Sequence, residues 1–232
     1  MSSLAQPRDL RVGAAKHVAI ITDGNARWAR ARDLPIRAGH DAGADTLKAR
    51  LRDAVELGIE QLTVYSFSTE NWLRPAEEVR GLISVLAERI ARETPELDRH
   101  SVRIRFIGRR AGVERELSQA MSRAEATTAD NQLITLFIAL NYGGRAEILD
   151  AAKAFRGNTE ADLRRCLYAP DMHDPDLIIR TGGERRLSNF LLWQSAYSEL
   201  VFSDELWPDF SRTDLEAALA EFGARQRRFG AR

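Results

Sequence analysis

The chain has 232 residues, enough for one large domain with a well-buried core and barely enough for two. Its 34 lysines and arginines balance 34 aspartates and glutamates, so no global field recruits nucleic acid or an acidic membrane, and any anion must be held by a local cluster. The single cysteine, Cys166, excludes an internal disulfide and has no cysteine partner for a zinc site, which fits a reducing cytoplasmic setting; no stretch reads as a signal peptide or a membrane span, so a soluble protein is expected.

In chain order, "HVAII" (17–21) is a continuous apolar run that predicts a buried strand, and "NARWARARDL" after it carries good helix formers. "AGADTLKARLRDAVEL" places Leu47, Leu51, Ala54 and Val55 at helical spacing with Gly58 as a stop, and "QLTVYSF" (61–67) predicts the next strand. Pro75 opens a helix with a stripe of Val79, Leu82, Ile83, Leu86 and Ile90, while "VRIRFIG" (102–108) alternates like a strand near a sheet edge. "ERELSQAMSRAEATT" reads as helix, "LITLFIAL" (133–140) as a central buried strand and "RAEILDAAKAF" as helix again. "DLIIRTG" (176–182) predicts a short strand, "NFLLWQSAYSEL" a buried helix, and "SRTDLEAALAEFGARQRRFG" a terminal helix capped by Ser211 or Thr213. Strands alternating with helices give the expected fold class: α/β, a tail over residues 1–16 and one domain over 17–232 built on a mostly parallel central sheet flanked by helices.

Three strand ends carry chemistry. In "TDGNAR" (22–27), Gly24 and Asn25 permit a bend, the amides of Asn25, Ala26 and Arg27 open a helix, and the Arg27 guanidinium offers a fork of donors, a seat for phosphate at the carboxyl edge of the sheet. Asp23 contradicts that seat unless a cation intervenes, and Mg²⁺ held by one or two carboxylates plus phosphate oxygens is the ordinary solution. Read as "DG" alone the stretch is a hairpin signal, but the residues after it do not alternate as a return strand does. "IRTGGERRLSNF" (179–190) repeats the theme with Arg180, a Gly-Gly bend, Arg185, Arg186 and Ser188, and "YSFSTENWLRP" (65–75) follows a strand with Ser68, Glu70, Asn71, Trp72 and Arg74. His40 is the one histidine near these segments, and Glu199, acidic between apolar neighbours in "AYSELVF", is explained by metal ligation.

With "HVAIITDGNARWA", "YSFSTENWLRP", "ALNYGGR", "DPDLIIRTGGERRLSNFLLWQSAYSEL", "LWPDF" and "RRFG" in this order, the chain resembles the cis-prenyltransferases, the family of undecaprenyl diphosphate synthase, from His17 to Gly230. The resemblance implies a dimeric α/β catalytic domain enclosing a hydrophobic tunnel, and Mg²⁺-dependent condensation of an allylic diphosphate with isopentenyl diphosphate to create a cis double bond. It implies Asp23 and Glu199 as metal ligands. The allylic diphosphate would be held by Gly24, Asn25, Ala26, Arg27 and His40, and isopentenyl diphosphate by Arg180, Arg186 and Ser188. Trp28, Ser68, Thr69, Glu70, Trp72, Arg74 and Leu187 complete the implied substrate contacts, with Arg228 and Gly230 reaching across a homodimer. Asn71 matches the family's proton acceptor, but a neutral amide is a poor base, so a positioning role is expected while the departing diphosphate takes the proton.

The chain departs from the family pattern at Thr22, usually methionine; at Ala26, usually glycine; and at Ile36, where the family has a phosphate-binding arginine that Arg37 is expected to replace. The stretch between "NYGGR" and "DPDL" is also short. These changes admit a short-chain or branched-product synthase, joining two dimethylallyl units, or a non-catalytic partner subunit as rival readings. The small Ser66 favours long chains, and the retained Asp23, Glu199, Arg180, Arg186 and Ser188 favour an enzyme. Neither G-x-x-x-x-G-K-[ST], a strand-linked G-x-G-x-x-G nor G-x-S-x-G occurs, which leaves nucleotide-binding and serine-hydrolase readings without support. Zero net charge gives no reason to expect nucleic acid, while a long lipid product makes transient membrane contact plausible.

Overall fold

The computed structural model describes residues 15–225. Its strands are β1 (His17–Ile21), β2 (Gln61–Ser68), β3 (Val102–Ile107), β4 (Ile134–Tyr142), β5 (Leu177–Arg180) and β6 (Glu199–Phe202). The helices are α1 (Asn25–Arg30), α2 (Ile36–Glu56), α3 (Ala76–Arg99), α4 (Arg115–Thr127), α5 (Gly144–Ala154), α6 (Glu160–Arg164) and α7 (Arg212–Ala224), with a 3-10 turn at Thr69–Leu73. Every strand pair is parallel, in the order β3-β4-β2-β1-β5-β6. The chain winds outward from β1 toward one edge and then returns to build the other side, so the strand order reverses between β1 and β5. At that reversal the loops leave in opposite directions and open a crevice beyond the carboxyl ends of the strands. As its half-polar alternation predicts, β3 is an edge strand, and β4 lies inside with both faces covered.

Alternation along the strands divides the core. Val18, Ile20, Leu62, Val64 and Leu136 pack on one face with Leu51 and Val55 of α2 and Leu215 and Phe222 of α7. Farther along, Ile104, Phe106 and Leu140 pack with Val79 and Ile83 of α3 and Leu117 and Met121 of α4. Ala19, Ile21, Phe137 and Ala139 turn to the opposite face and meet Tyr142, Phe190 and Leu191. Two faces covered by apolar side chains is what a parallel sheet requires.

Three expectations change. The predicted buried helix over "NFLLWQSAYSEL" is a run of turns followed by β6, because Ser188, Asn189 and Leu191 all take positive φ. Those left-handed residues break any helix, yet Phe190 and Leu191 still drop into the core, so the apolar spacing reflected burial without helical geometry. The terminal helix starts after Ser211, whose hydroxyl accepts from the Asp214 N–H at 3.3 Å, and not at Thr213. The expected tail over 1–16 is too long by two residues. Ala15 is buried in the core, and the Lys16 carbonyl accepts from the N–H groups of Glu60 and Gln61 at 2.8 and 3.0 Å. Residues 1–14 of that tail lie outside the described residues.

His17 opens β1 fully buried, with Nδ1 2.7 Å from the His173 carbonyl and Nε2 2.7 Å from the Thr63 hydroxyl. Desolvation pushes its pKa down to about 4, against an ordinary 6.5. Between those values the unfolded chain binds a proton that the folded chain refuses, so stability is full above pH 6.5 and falls as pH drops toward 4. At about 1.4 kcal/mol per pH unit, the total loss is on the order of 3 kcal/mol. Urea unfolding at pH 7 and pH 5 is expected to show this slope in the wild type and a flatter one in His17→Gln; equal slopes would remove His17 as its source.

Candidate active site

The crevice is held open by its glycines. Gly24 takes φ 116° at the end of the β1 loop and starts α1 without a side-chain cap. Gly39 and Gly43, four apart on α2, let α1 approach, since a Cβ on Gly39 would stand 2.1 Å from the Asn25 carbonyl oxygen and one on Gly43 would stand 2.3 Å from Asn25 Oδ1. Gly39→Ala is therefore expected to push α1 and its loop outward. A displacement near 1 Å at a phosphate seat costs about 10²-fold in kcat/KM. Gly81→Ala on α3, where nothing lies within 4 Å, is the control and is expected to keep wild-type kinetics. Equal kinetics in the two variants would show that the close approach does not set the loop.

Asp23 is fixed by its backbone before its side chain does anything. Its N–H donates to the Thr181 hydroxyl at 3.0 Å and its carbonyl accepts from that hydroxyl at 2.8 Å and from the Trp207 N–H at 2.9 Å. The carboxylate lies between two guanidinium groups, with Oδ1 3.2 Å from Arg27 Nη2 and Oδ2 2.9 Å from Arg180 Nη2. Arg27 also donates to the Gly182 carbonyl at 2.7 Å. Arg180, only 4% exposed, donates from Nη1 to the Arg186 carbonyl and the Ser188 hydroxyl, each at 2.6 Å. Thr181 was missed in the sequence, although its place directly after a strand that ends on a buried arginine is the signal that finds it.

Behind this pair a cavity of about 670 Å³ runs beneath α2 and α3. Its mouth is polar and includes Asp23, Gly24, Asn25, Ala26, Arg27, His40, Ser68, Glu70, Asn71, Arg74, Arg180 and Ser188, so the three predicted loops do converge. The interior is apolar. Leu82, Leu86 and Ile90 of the α3 stripe line it, whereas Val79 and Ile83 of the same stripe are buried core. Leu136, Ile138 and Leu140 line it from β4, while the alternating Phe137 and Ala139 face away. A bulge in β2 slips the register between Tyr65 and Phe67, and Ser66, the extra residue, faces the cavity.

At the mouth, Asn71 Oδ1 accepts from the Ser68 N–H at 2.8 Å, which fixes the 3-10 turn. Burial works against ionising Glu70, but hydrogen bonds from Asn189, its own backbone and Thr69 outweigh it and hold the carboxyl below its ordinary range. Burial, and then the charge of Arg74, pushes the His40 imidazole below its usual 6.5, so it is neutral at neutral pH. Among the described residues, Asn25 Oδ1, His40 Nε2 and Arg180 Nε are buried polar atoms without a protein partner, and all three residues line this cavity. Such orphans call for a polar ligand or water.

Several predicted contacts do not enter the mouth. Trp28 turns outward, donating to Asp209 at 2.7 Å with Arg32 stacked 4.3 Å from the ring centroid. Arg37, expected to replace the family arginine, reaches across to Glu88 at 3.2 Å, because the first turn of α2 points it at α3. Thr69 bonds Glu70, Trp72 donates to Asn141 at 2.7 Å, and Leu187 packs into the core. The Arg186 side chain is exposed and paired with Glu184, and only its carbonyl serves Arg180. The Gly-Gly bend is not a phosphate nest, since the amides of Gly182 and Gly183 already donate to Glu205 and Ser203. Gly182 takes φ 82°, a left-handed conformation that favours glycine, and a Cβ there would also crowd Arg27 Nη2.

Glu199 does not join Asp23 within one chain. It starts β6 in register with Leu177, itself level with Val18, and pairs with Arg225 at 2.7 Å. Asp23 lies five residues beyond Val18, about 15 Å along the strand direction, so one chain cannot offer both carboxylates to one ion. Arg228 and Gly230 lie outside the described residues.

A switch-point crevice with paired arginines above an apolar cavity defines an α/β enzyme that takes a phosphorylated, hydrocarbon-bearing substrate. The chain belongs to the prenyltransferase family described as "Putative undecaprenyl diphosphate synthase", matched over residues 21–230, and is a transferase of prenyl groups. An isoprenyl transferase of Thermotoga maritima is 49% identical over 224 residues, 93% of this chain and 96% of that one. A Pseudomonas aeruginosa protein named ditrans,polycis-undecaprenyl-diphosphate synthase ((2E,6E)-farnesyl-diphosphate specific) is 49% identical over 226 residues, covering 93% and 90%. Among solved structures, lavandulyl diphosphate synthase from Lavandula x intermedia in complex with dimethylallyl diphosphate matches with a TM-score of 0.89 and 33% identity, covering 94% of this chain and 98% of that one. A probable undecaprenyl diphosphate synthase of Campylobacter jejuni matches at 0.82 and 30%, covering 94% and 100%.

Proposed function

We propose that this chain condenses isopentenyl diphosphate with an allylic diphosphate in a Mg²⁺-dependent reaction, forming cis double bonds and giving a long, undecaprenyl-type polyprenyl diphosphate. The observation that carries the reading is the Arg27–Asp23–Arg180 cluster set directly above an apolar cavity, a polar head site joined to a hydrocarbon site. The first-turn amides of Asn25, Ala26 and Arg27, with the Arg27 side chain and neutral His40, receive the allylic diphosphate. Arg180 and Ser188 receive isopentenyl diphosphate on the far side of Asp23. The distance between the two seats is set by one carboxylate, so the reacting carbons meet in a fixed orientation.

Asp23 fits a magnesium ion in the usual enzyme manner, as a single carboxylate to be completed by substrate phosphates and water. Among the described residues no group of three or more His, Cys, Asp or Glu side chains gathers elsewhere to form a protein cage. When bound, the metal supplies countercharge to the departing diphosphate. Before substrate arrives the Asp23 carboxylate supplies the negative charge that the arginines face, so both guanidinium groups are already aimed when the diphosphates take over. Asn71 and Ser68 hold the turn that borders the reacting carbons, and the leaving diphosphate accepts the proton released as the new double bond forms.

The product grows into the apolar cavity, where each buried methylene contributes about 0.8 kcal/mol. Ser66 leaves that path open. Homodimer formation follows from the match of Arg228 and Gly230 to the family's cross-dimer motif, and a cytoplasmic location with transient membrane contact at release suits a lipid product. No helix among the described residues is long and apolar enough to cross a membrane. The test is incubation of purified protein with labelled isopentenyl diphosphate, Mg²⁺ and a panel of allylic primers, followed by sizing of products. Chelator-sensitive incorporation into long chains is expected. Transfer undiminished in chelator, or a branched product from dimethylallyl diphosphate alone, would replace this reading.

A further inference from the structure

The "ALNYGGR" segment, to which the proposed reaction gives no role, ends β4 against two of the loops that form the mouth. Gly143 is extended, at φ −159°, so its missing side chain answers to space and not to conformation. A Cβ on it would stand 2.6 Å from Thr69 Oγ1 and 2.7 Å from Asn189 Nδ2, and one on Gly144 would stand 2.8 Å from Leu192 and 3.1 Å from the Asn189 carbonyl oxygen. The two glycines therefore let the loop after β5 settle on the start of α5, beside the turn that follows β2.

Asn189 is the residue that ties these segments together. Its carbonyl accepts from the Gly144 N–H at 2.7 Å, its Oδ1 accepts from the Arg145 N–H at 2.8 Å, and its Nδ2 donates to Glu70 Oε1 at 2.8 Å. An amide suits the last two contacts because it offers one acceptor and one donor group from a single branch point. The Thr69 hydroxyl holds the other Glu70 oxygen at 3.1 Å.

The backbone beside these bonds is strained. Ser188 and Asn189 take φ 47° and 66°, a left-handed conformation that asparagine tolerates and that is uncommon for serine. Such a conformation persists only where the surroundings over-determine it, and the three Asn189 bonds do so here. Its result is the aim of the Ser188 hydroxyl at Arg180 Nη1, 2.6 Å away. At the other end of the Asn189–Glu70 bond, Glu70 directly precedes Asn71, whose Oδ1 closes the 3-10 turn. One hydrogen bond thus joins the seat of one substrate to the turn that borders the reacting carbons.

We propose that Asn189 is a positioning residue that, through Glu70, sets the distance between the isopentenyl diphosphate seat at Arg180 and Ser188 and the turn that carries Asn71. The proposal rests on the prenyl-transfer reading of the site. Glu70 is exposed, and a hydrogen bond open to water adds little to stability, so loss of this bond is expected in turnover and not in unfolding.

The test is steady-state kinetics with each substrate varied in turn, together with thermal unfolding, for the full-length wild type, Asn189→Asp, Glu70→Ala and an Asn189→Asp/Glu70→Gln pair. The aspartate keeps an acceptor for the Arg145 N–H but sets a second carboxylate against Glu70. Its kcat/KM for isopentenyl diphosphate is expected to fall about 10²-fold, the cost of a displacement near 1 Å, with the unfolding midpoint and the binding of the allylic diphosphate unchanged. The pair exchanges donor and acceptor, since the glutamine amide donates to the new carboxylate, and is expected to recover most of the loss. Glu70→Ala removes the same bond at an exposed position and is expected to share the loss, which keeps the test open if Asn189→Asp does not fold. Wild-type kinetics in the single variants, a loss that the pair leaves unrestored, or a loss that only follows a lowered unfolding midpoint would overturn the proposal and leave the prenyl reading standing. Absence of incorporation by the wild type with every primer would overturn both.

Discussion

Asp23→Asn is expected to lower turnover by about 10²- to 10³-fold, the loss that follows removal of one preorganised electrostatic stabiliser. The asparagine keeps the size of the side chain and one oxygen, so the Thr181 and Trp207 bonds to the backbone survive and the fold is retained. What disappears is the charge that sits 3.2 Å from Arg27 and 2.9 Å from Arg180. Two opposite consequences follow. In chelator, the variant is expected to bind inorganic pyrophosphate more tightly than the wild type, because the anion no longer competes with a carboxylate for the guanidinium groups. In Mg²⁺ that advantage is expected to vanish, because the carboxylate that links metal to protein is gone. Calorimetric titration with pyrophosphate under both conditions, alongside steady-state kinetics, separates these effects. Turnover near wild type, or weaker pyrophosphate binding in chelator, would refute the role of Asp23 as the counterion that the diphosphates replace.

Arg180→Ala is expected to lower kcat/KM for isopentenyl diphosphate on the order of 10³-fold, since two charge-assisted hydrogen bonds to a diphosphate are lost together. The guanidinium is almost fully buried and reaches Asp23, the Arg186 carbonyl and Ser188 at once, which a single ammonium group cannot do in this geometry. Arg180→Lys is therefore expected to remain impaired by about 10²-fold despite keeping the charge. Binding of the allylic substrate, which depends on Arg27 and His40, is expected to change far less in either variant. Equal losses for both substrates would mean that Arg180 supports the whole mouth and does not define one seat. Full activity in Arg180→Lys would reduce its contribution to charge alone.

Much of the site was legible in the sequence because its signals are local. Asp23, Gly24 and Arg27 follow a strand within six residues, and Arg180 ends another, so a parallel sheet with a switch point brings them together whatever the details of the helices. The place of Glu199 is less legible. An acid between apolar neighbours in "AYSELVF" invites a metal role, but which end of β6 it occupies depends on register with β5, and a register is a long-range property. Arg37 failed for a related reason: its place one residue after Ile36 is close in sequence, yet the helical turn directs it to Glu88 on α3. The turns at 188–191 were misread because burial of Phe190 and Leu191 leaves an apolar pattern whether the backbone is helical or not.

By itself the sequence determined the α/β class, the six-residue bend that carries Asp23, the edge position of β3, and the central, buried place of β4. These follow from periodicity and from conformational limits of a few adjacent residues, which act without help from the rest of the chain. Only the tertiary structure decided that Asp23 stands between Arg27 and Arg180, that Glu199 lies about five residues back from it along the sheet of one chain, and that ion pairs such as Arg89–Asp41 join α2 and α3. Those facts depend on which distant segments share a surface, and a one-dimensional pattern of hydrophobic and charged residues is compatible with more than one such pairing.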